Sequence, residues 1–198
     1  MNGSLSGLRI LDLTRILAGP FCTATLCDLG AEVIKVEHPN GGDLSRGTAP
    51  FISEGDSYYY LSVNRGKRSV TLDLTNERGK EIFLDLVKVS DVVIENFRPG
   101  TMDRLGLSYK ALRPINPRIV FASISGFGQT GPYSDRPALD IIVQAMGGLM
   151  GITGEPGGGP VRAGTSLSDI VAGLFTTNAL LAALYERERS GEGQMIDI

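Results

Sequence analysis

Residues 8–37 read LRILDLTRILAGPFCTATLCDLGAEVIKVE. Leu8 to Leu13 forms a short apolar run of strand length, Pro20 to Leu29 reads as a helix closed by Gly30, and Glu32 to Glu37 forms a second strand run. A strand, a helix and a strand in such quick succession predict a βαβ unit, which needs a right-handed crossover and parallel pairing. The alternation continues outward. A Gly-rich and aromatic loop from Gly41 to Tyr60 leads to the strand SVTLDL, a helix from Asn76 to Val89 capped by Thr75, and the strand DVVIENF. Arg118 to Ser125 (RIVFASIS) is the next strand, preceded by Pro117, and Leu139 to Met150 reads as an apolar helix ending at Gly151. Residues 154–165, which contain GEPGGGPVRAG, are too rich in Gly and Pro for regular structure and predict a loop. Directly after it, Ser166 to Ser190 carries apolar residues at Ile170, Val171, Leu174, Phe175, Leu180, Leu181 and Leu184, the spacing of a long helix. The last residues, GQMIDI, alternate like a strand just beginning, so the chain is expected to stop in mid-element. The fold expected is therefore α/β and Rossmann-like, an open, mainly parallel sheet with helices on both faces.

The 198 residues are 42% hydrophobic, enough to bury a substantial core, and show no internal repeat. Lys and Arg number 19 against 22 Asp and Glu, a net charge of −3. That balance is too mild to point to nucleic acid or a membrane surface, so an anionic ligand must be held by local geometry. The opening MNGSLSGLRILDLT lacks the basic and apolar regions of a secretory signal, and no uninterrupted apolar run reaches the roughly 18 residues of a membrane span. A cytoplasmic location is expected. Cys22 and Cys27 match no common metal or redox spacing and are expected in the core.

Several groups could carry chemistry. Gly126, Gly128 and Gly131 have the spacing of a dinucleotide fingerprint behind a strand, but Pro132 follows where a helix should begin, so a turn or substrate loop is expected instead. Ser166 and Asp169 have capping-box spacing at the head of the long helix, which leaves two readings open. Asp169 is either a cap or a nucleophilic carboxylate that the helix terminus keeps ionised while the Gly-rich loop admits a bulky thioester. Basic residues cluster at Arg65, Lys67 and Arg68 and recur at Arg98 and Arg104. Asn96, Phe97 and Arg98 follow a strand end, where open α/β sheets bind ligands, and cations there suit the phosphates of a nucleotide. His38, the only histidine, excludes multi-histidine metal sites. No nucleophile elbow, Walker lysine or zinc-protease motif is present.

Taken together, LSGLRILDLT, AGPFCTATLCDLGAEVIKVEHPNGGD, YYLSVNRGKRSVTLDL, VVIENFRPGTMDRLGL, NPRIVFASISGFGQTGPY and VRAGTSLSDIVAGL resemble the class III CoA-transferases, the formyl-CoA, carnitine and bile-acid CoA-transferase group. The resemblance covers nearly the whole chain in order. It implies transfer of CoA from an acyl-CoA to a free carboxylic acid through a mixed anhydride and an aspartyl-CoA thioester on Asp169, with no resident cofactor and no metal. CoA itself, as substrate, is expected against Arg15, Leu72, Asp73, Leu74, Thr75, Asn96, Phe97, Arg98 and Arg104. Pro137 and Leu139 stand where formyl-CoA transferases resemble each other in carrying lysine and tyrosine, which speaks against formyl-CoA and oxalate. SISGFGQTGPY and MGITG resemble transferases of dicarboxylic acyl groups such as succinyl-CoA. The α-methylacyl-CoA racemases look similar but place a histidine in a GHD triplet that here reads Ala138-Leu139-Asp140, so the racemase is the alternative, as is a non-catalytic CoA-binding module. The resemblance also implies that residues 1–198 are the amino-terminal part of a large CoA-binding domain, with the carboxyl-terminal half and a small second domain absent. The resemblance implies an interlocked homodimer in the full-length family, and a chain of this length is expected to be a fragment or truncated product that need not be active alone.

Overall fold

The computed structural model describes residues 3–52 and 55–198. Met1 and Asn2 of the opening segment, and Ser53 and Glu54 of the loop expected from Gly41 to Tyr60, lie outside the described residues. Six strands form one parallel sheet: β1 (Arg9–Asp12), β2 (Glu32–Glu37), β3 (Arg68–Thr71), β4 (Val92–Glu95), β5 (Val120–Ser123) and β6 (Met195–Asp197). Their order across the sheet is β3-β2-β1-β4-β5-β6, the doubly wound arrangement, and the direction of winding reverses between β1 and β4.

Both faces of the sheet are buried, which explains why the strands read as unbroken apolar runs. Ile10, Val92, Ile94, Val120 and Ala122 point to one face and pack beneath α1 (Ala18–Asp28) and α7 (Leu167–Ser190). Their neighbours Leu11, Val93 and Phe121 point to the other, against Phe83 and Val87 of α3 (Glu77–Lys88), Met102 of α4 (Thr101–Leu105) and Leu112 of α5 (Tyr109–Leu112). Cys22 is buried in the first of these cores, with its thiol pushed up to about 12 by burial, as suits a packing residue.

α7 is long and apolar enough to cross a membrane by length and composition. One side of it, however, is core: Thr176, Thr177, Leu180, Ala183 and Leu184 are buried, Thr177 bonds the Cys22 thiol at 3.3 Å, and Arg187 pairs with Asp91 at 3.0 Å. Gly173 permits the close crossing with α1, because a Cβ there would lie 2.7 Å from the Ala18 carbonyl oxygen. That crossing brings the amino terminus of α7 to the head of α1.

Several boundaries differ from expectation. The cap of α3 is Asn76, whose side chain accepts from the Arg78 N–H, not Thr75. The loop from Gly41 to Tyr60 contains a 3-10 turn at Leu44–Gly47 and passes into α2 (Tyr58–Asn64). The helix expected from Leu139 to Met150 stops as α6 (Asp140–Met146), because Gly148 takes a left-handed conformation and a 3-10 turn follows at Leu149–Ile152.

Candidate functional site

Asp169 lies in the first turn of α7 and lines a cavity of about 170 Å³. The walls come from the carboxyl ends of three strands: Ala18 beyond β1, Asn96 beyond β4, and Ile124 and Ser125 beyond β5. This is where the sheet reverses its winding, the place at which open α/β sheets leave a crevice for ligands. α6 closes the other side with Leu139, Asp140 and Val143.

The Asp169 carboxylate accepts no hydrogen bond among the described residues, and Ser166 does not cap the helix with its side chain. The cap is supplied from outside. Asp140 Oδ1 accepts the Ser168 N–H at 2.8 Å, taking the donor that a capping residue would serve. Asp169 is therefore not the helix cap, and the capping reading of Ser166 and Asp169 is corrected. Burial, and secondarily the Asp140 charge, push the Asp169 carboxyl up to about 6. These two effects act against the helix terminus, which favours the ionised form. Tyr59 of α2 is close enough to feel the same carboxylate: burial, then Asp169, push its hydroxyl up to about 12. In the same cavity the Ser125 hydroxyl is buried without a hydrogen-bond partner among the described residues.

A second cavity, of about 210 Å³, is lined by Arg15, Leu72, Leu74, Thr75 and Phe97, with His38 and Thr101 at its edge. Five of the residues expected to touch CoA thus meet in one place. The Arg15 guanidinium lies 4.9 Å from the centre of the Phe97 ring. Asp73 is not on this wall; its carboxylate accepts the Thr75 N–H at 2.9 Å and hydroxyl at 2.6 Å, shaping the turn that presents Thr75. Asn96 joins the two cavities. It lines the one holding Asp169 and clamps the backbone of Arg15, accepting from the N–H at 2.8 Å and donating to the carbonyl at 2.9 Å. Arg98 and Arg104 lie apart, on a cavity of about 660 Å³ beyond β4 and β5. Arg104 donates to the Thr101 hydroxyl at 2.8 Å, and Thr101 edges the Arg15 cavity.

The loop between β1 and α1 is fixed from below. Lys35, almost wholly buried, donates to the Thr14 carbonyl at 2.8 Å and pairs with Asp43 at 2.9 Å; Asp43 accepts the Ile16 N–H at 3.1 Å. Ile16 is held at φ 67°, a left-handed conformation costly for a β-branched residue. Asp12 is buried with Lys67 at 2.9 Å and accepts from Thr14 and Thr23. Burial alone would raise its carboxyl, yet Lys67 and Lys35 hold it well below the usual range. Within the basic stretch each cation has a carboxylate partner: Lys67 pairs with the buried Asp12, Arg65 with Asp28 and Arg68 with Glu32. Asp140, Gln144, Tyr59 and Asp43 were not singled out by sequence reasoning. An Asp140-x-x-x-Gln144 pair inside a predicted helix was the one available signal.

Fold and site define a doubly wound α/β protein with, among the described residues, an unpaired carboxylate at its switch point and a second cavity lined by Arg15, Leu72, Leu74, Thr75 and Phe97. The chain belongs to CoA-transferase family III, whose sequence profile matches residues 5–198. It is similar to an acetyl-CoA:oxalate CoA-transferase of Acetobacter aceti, 52% identical over all of this chain and 51% of that protein. It is also similar to a succinate–glutarate CoA-transferase of Agrobacterium fabrum, 48% identical over 98% of this chain and 50% of that one. The crystal structure of a CAIB/BAIF family protein from Brucella suis superposes with a TM-score of 0.96 at 49% identity, covering 100% of this chain and 53% of that one. The chain spans about half the length of the curated relatives it matches.

Proposed function

We propose that this chain provides the acyl-carrying site of an enzyme that moves CoA from an acyl-CoA to a free carboxylic acid, with Asp169 as nucleophile. The observation that carries this is a carboxylate without hydrogen-bond partners among the described residues, of raised proton affinity, lining a cavity at the sheet's switch point. A carboxyl of pKa about 6 is mostly ionised at neutral pH, yet more basic and less solvated than an ordinary aspartate, which favours attack on a thioester.

Asp169 attacks the thioester carbonyl and the C–S bond breaks, giving a mixed anhydride and CoA thiolate. The thiolate attacks the Asp169 carbonyl and releases the donor acid, leaving an aspartyl-CoA thioester. The acceptor carboxylate then displaces the thiolate, and the thiolate attacks the acceptor's acyl carbon. This last step makes the new acyl-CoA and frees Asp169. Each intermediate is of similar energy to its neighbours, so covalent catalysis divides one difficult exchange into easier ones.

CoA is matched in chemical terms by the second cavity, with Phe97 and the Leu72 and Leu74 wall for the base and Arg15 for a phosphate, while Arg98 and Arg104 offer further cations on the separate cavity that Thr101 links to it through its bond from Arg104. Asp73 and Asn96 shape that wall through Thr75 and Arg15. For the acceptor we propose a short dicarboxylate, since the relatives' names carry oxalate and glutarate. Oxalate, which Pro137 and Leu139 argue against in the sequence, belongs in the acceptor panel because of the first of those relatives. Proton abstraction from an α-carbon is not supported: Leu139 is 72% exposed at the cavity mouth and carries no base, and His38 lines the other cavity.

The test is to incubate the full-length protein its gene encodes with acetyl-, succinyl- and oxalyl-CoA, trap activated carboxyls with hydroxylamine, and map peptides by mass spectrometry. A hydroxamate on Asp169 that is absent in Asp169→Asn is expected. Bound CoA with no modified carboxyl would leave only a binding module.

A further inference from the structure

A nucleophilic carboxylate at a helix amino terminus faces a conflict, because the unpaired N–H groups of that terminus attract it as a cap and would quench it. Here the conflict is removed by a neighbouring helix. Asp140, the first residue of α6, gives Oδ1 to the Ser168 N–H at 2.8 Å. Its Oδ2 accepts from Gln144 Nε2 at 2.6 Å, one helical turn along. Gln144 is almost wholly buried, and each end of its amide is used: Nε2 also reaches the Thr165 carbonyl at 3.3 Å, and Oε1 accepts the Ala163 N–H at 2.8 Å. The two side chains thus grip residues 163–168, the segment that leads a Gly-rich loop into α7. Asp169 follows directly, and its carboxylate stays unbonded among the described residues.

We propose that Asp140 and Gln144 are positioning residues for the reaction, Asp140 capping α7 in place of Asp169 and Gln144 fixing the entering segment, so that the Asp169 carboxylate is left free and aimed at the thioester. This rests on Asp169 being the nucleophile. Besides holding the helix, Asp140 places a second negative charge beside Asp169, which raises its proton affinity and nucleophilicity together. Among the described residues Tyr59 of α2 also feels the Asp169 charge, and secondarily that of Asp43; its hydroxyl, pushed up to about 12 chiefly by burial, remains neutral through the range in which Asp169 ionises.

The two residues predict different signatures. Asp140→Asn keeps an oxygen for the Ser168 N–H but removes the charge and sets a donor against Gln144. Gln144→Met keeps the volume and the charge pattern but releases Thr165 and Ala163. The measurement is the single-turnover rate of acyl-Asp169 formation from pH 4.5 to 8.5, in the full-length protein its gene encodes, with thermal melts of each variant. Asp140→Asn is expected to slow the plateau rate roughly tenfold to a hundredfold and to move the half-maximal pH below the wild-type value. Gln144→Met is expected to slow it by a similar factor with the half-maximal pH unmoved. The proposal is overturned if wild type forms the adduct and both variants match it in rate and midpoint, or if Asp140→Asn slows the reaction without moving the midpoint. If either variant fails to fold, the other decides by the same criterion: an unmoved rate in Gln144→Met, or an unmoved midpoint in Asp140→Asn, overturns it. A wild type that acylates elsewhere or not at all removes the nucleophile itself and is recognised separately.

Discussion

Asp12 ends β1 and is enclosed by Lys67, Thr14 and Thr23, whereas Asp169 opens α7 at the same edge of the sheet and accepts no hydrogen bond among the described residues. Both are desolvated, and burial alone would raise both carboxyls. Two lysines overturn that effect at Asp12 and hold it ionised; at Asp169 the nearby charge is another carboxylate, and the effect is reinforced. The same residue type is therefore a structural anchor in one place and a reactive group in the other, and the neighbours decide which. Asp12 sits under the strained loop that carries Arg15 and Ile16, so the anchor also steadies the segment from which Arg15 lines the second cavity.

The largest effect that tests this contrast is on chemistry. Asp169→Asn should lower acyl transfer by on the order of a thousandfold or more while leaving the thermal melt within a few degrees of wild type, as assayed by turnover and calorimetry. Asp12→Asn should do the reverse. Removing one partner of a buried ion pair leaves Lys67 uncompensated and costs about 3–5 kcal/mol, visible as a shifted denaturant midpoint. If Asp12→Asn proved as stable as wild type, the two aspartates would not differ in the way described. Phe97→Ala should weaken CoA binding by about 1–2 kcal/mol through lost stacking, an increase of roughly tenfold in Kd by isothermal titration, with the rate of the chemical step unchanged at saturation.

Smaller effects refine the picture. Ile16→Gly removes a left-handed strain of about 1–2 kcal/mol and adds a backbone entropy cost of about 0.5–1 kcal/mol, so stability should rise by about 0–1.5 kcal/mol. A comparable glycine at Ile10, buried in a strand, should instead cost at least about 2–5 kcal/mol. Stability should also depend on pH in opposite senses at two carboxyls. The lowered Asp12 contributes stability that is present above its unfolded value near 3.8 and lost as pH falls through the folded one. Glu95 is pushed up to about 7 by burial against its hydrogen bonds from Ser123 and the Phe97 N–H, so its contribution is full below about 4.5 and lost as pH rises through about 7. Melting temperatures followed from pH 5 to 8 should decline, and Glu95→Gln should flatten that decline.

The sheet was legible in the sequence because burial on both faces makes each central strand a contiguous apolar run, as in Ile10–Leu11, Val92–Ile94 and Val120–Ala122. α2 was not, since YYYLSVN has no 3.6-residue apolar rhythm and is placed by tertiary contacts. α6 was overextended because the pattern ignores the left-handed turn that Gly148 permits. Asp169 could be found from its place in a helix head after a Gly-rich loop. Its freedom could not, since that depends on Asp140, which lies 28 residues from the Ser168 N–H it accepts. The pairing of the basic stretch was hidden for the same reason: Lys67 meets Asp12 across 55 residues of chain and Arg68 meets Glu32 across 36, partners that no local pattern reveals.

The central claim is that the acyl group and then CoA pass through the Asp169 carboxylate. It is tested most directly with an acceptor acid labelled with oxygen-18 in its carboxylate, followed through one turnover. When CoA thiolate attacks the acceptor's carbonyl in the final step, one labelled oxygen must stay behind on the enzyme. The tryptic peptide of residues 163–187 contains two carboxylates, Asp169 and Glu186, which fragmentation separates. One oxygen-18 is expected in Asp169 and none in Glu186. Complete exchange of CoA with no label in Asp169 would contradict it and require direct transfer between the two acids.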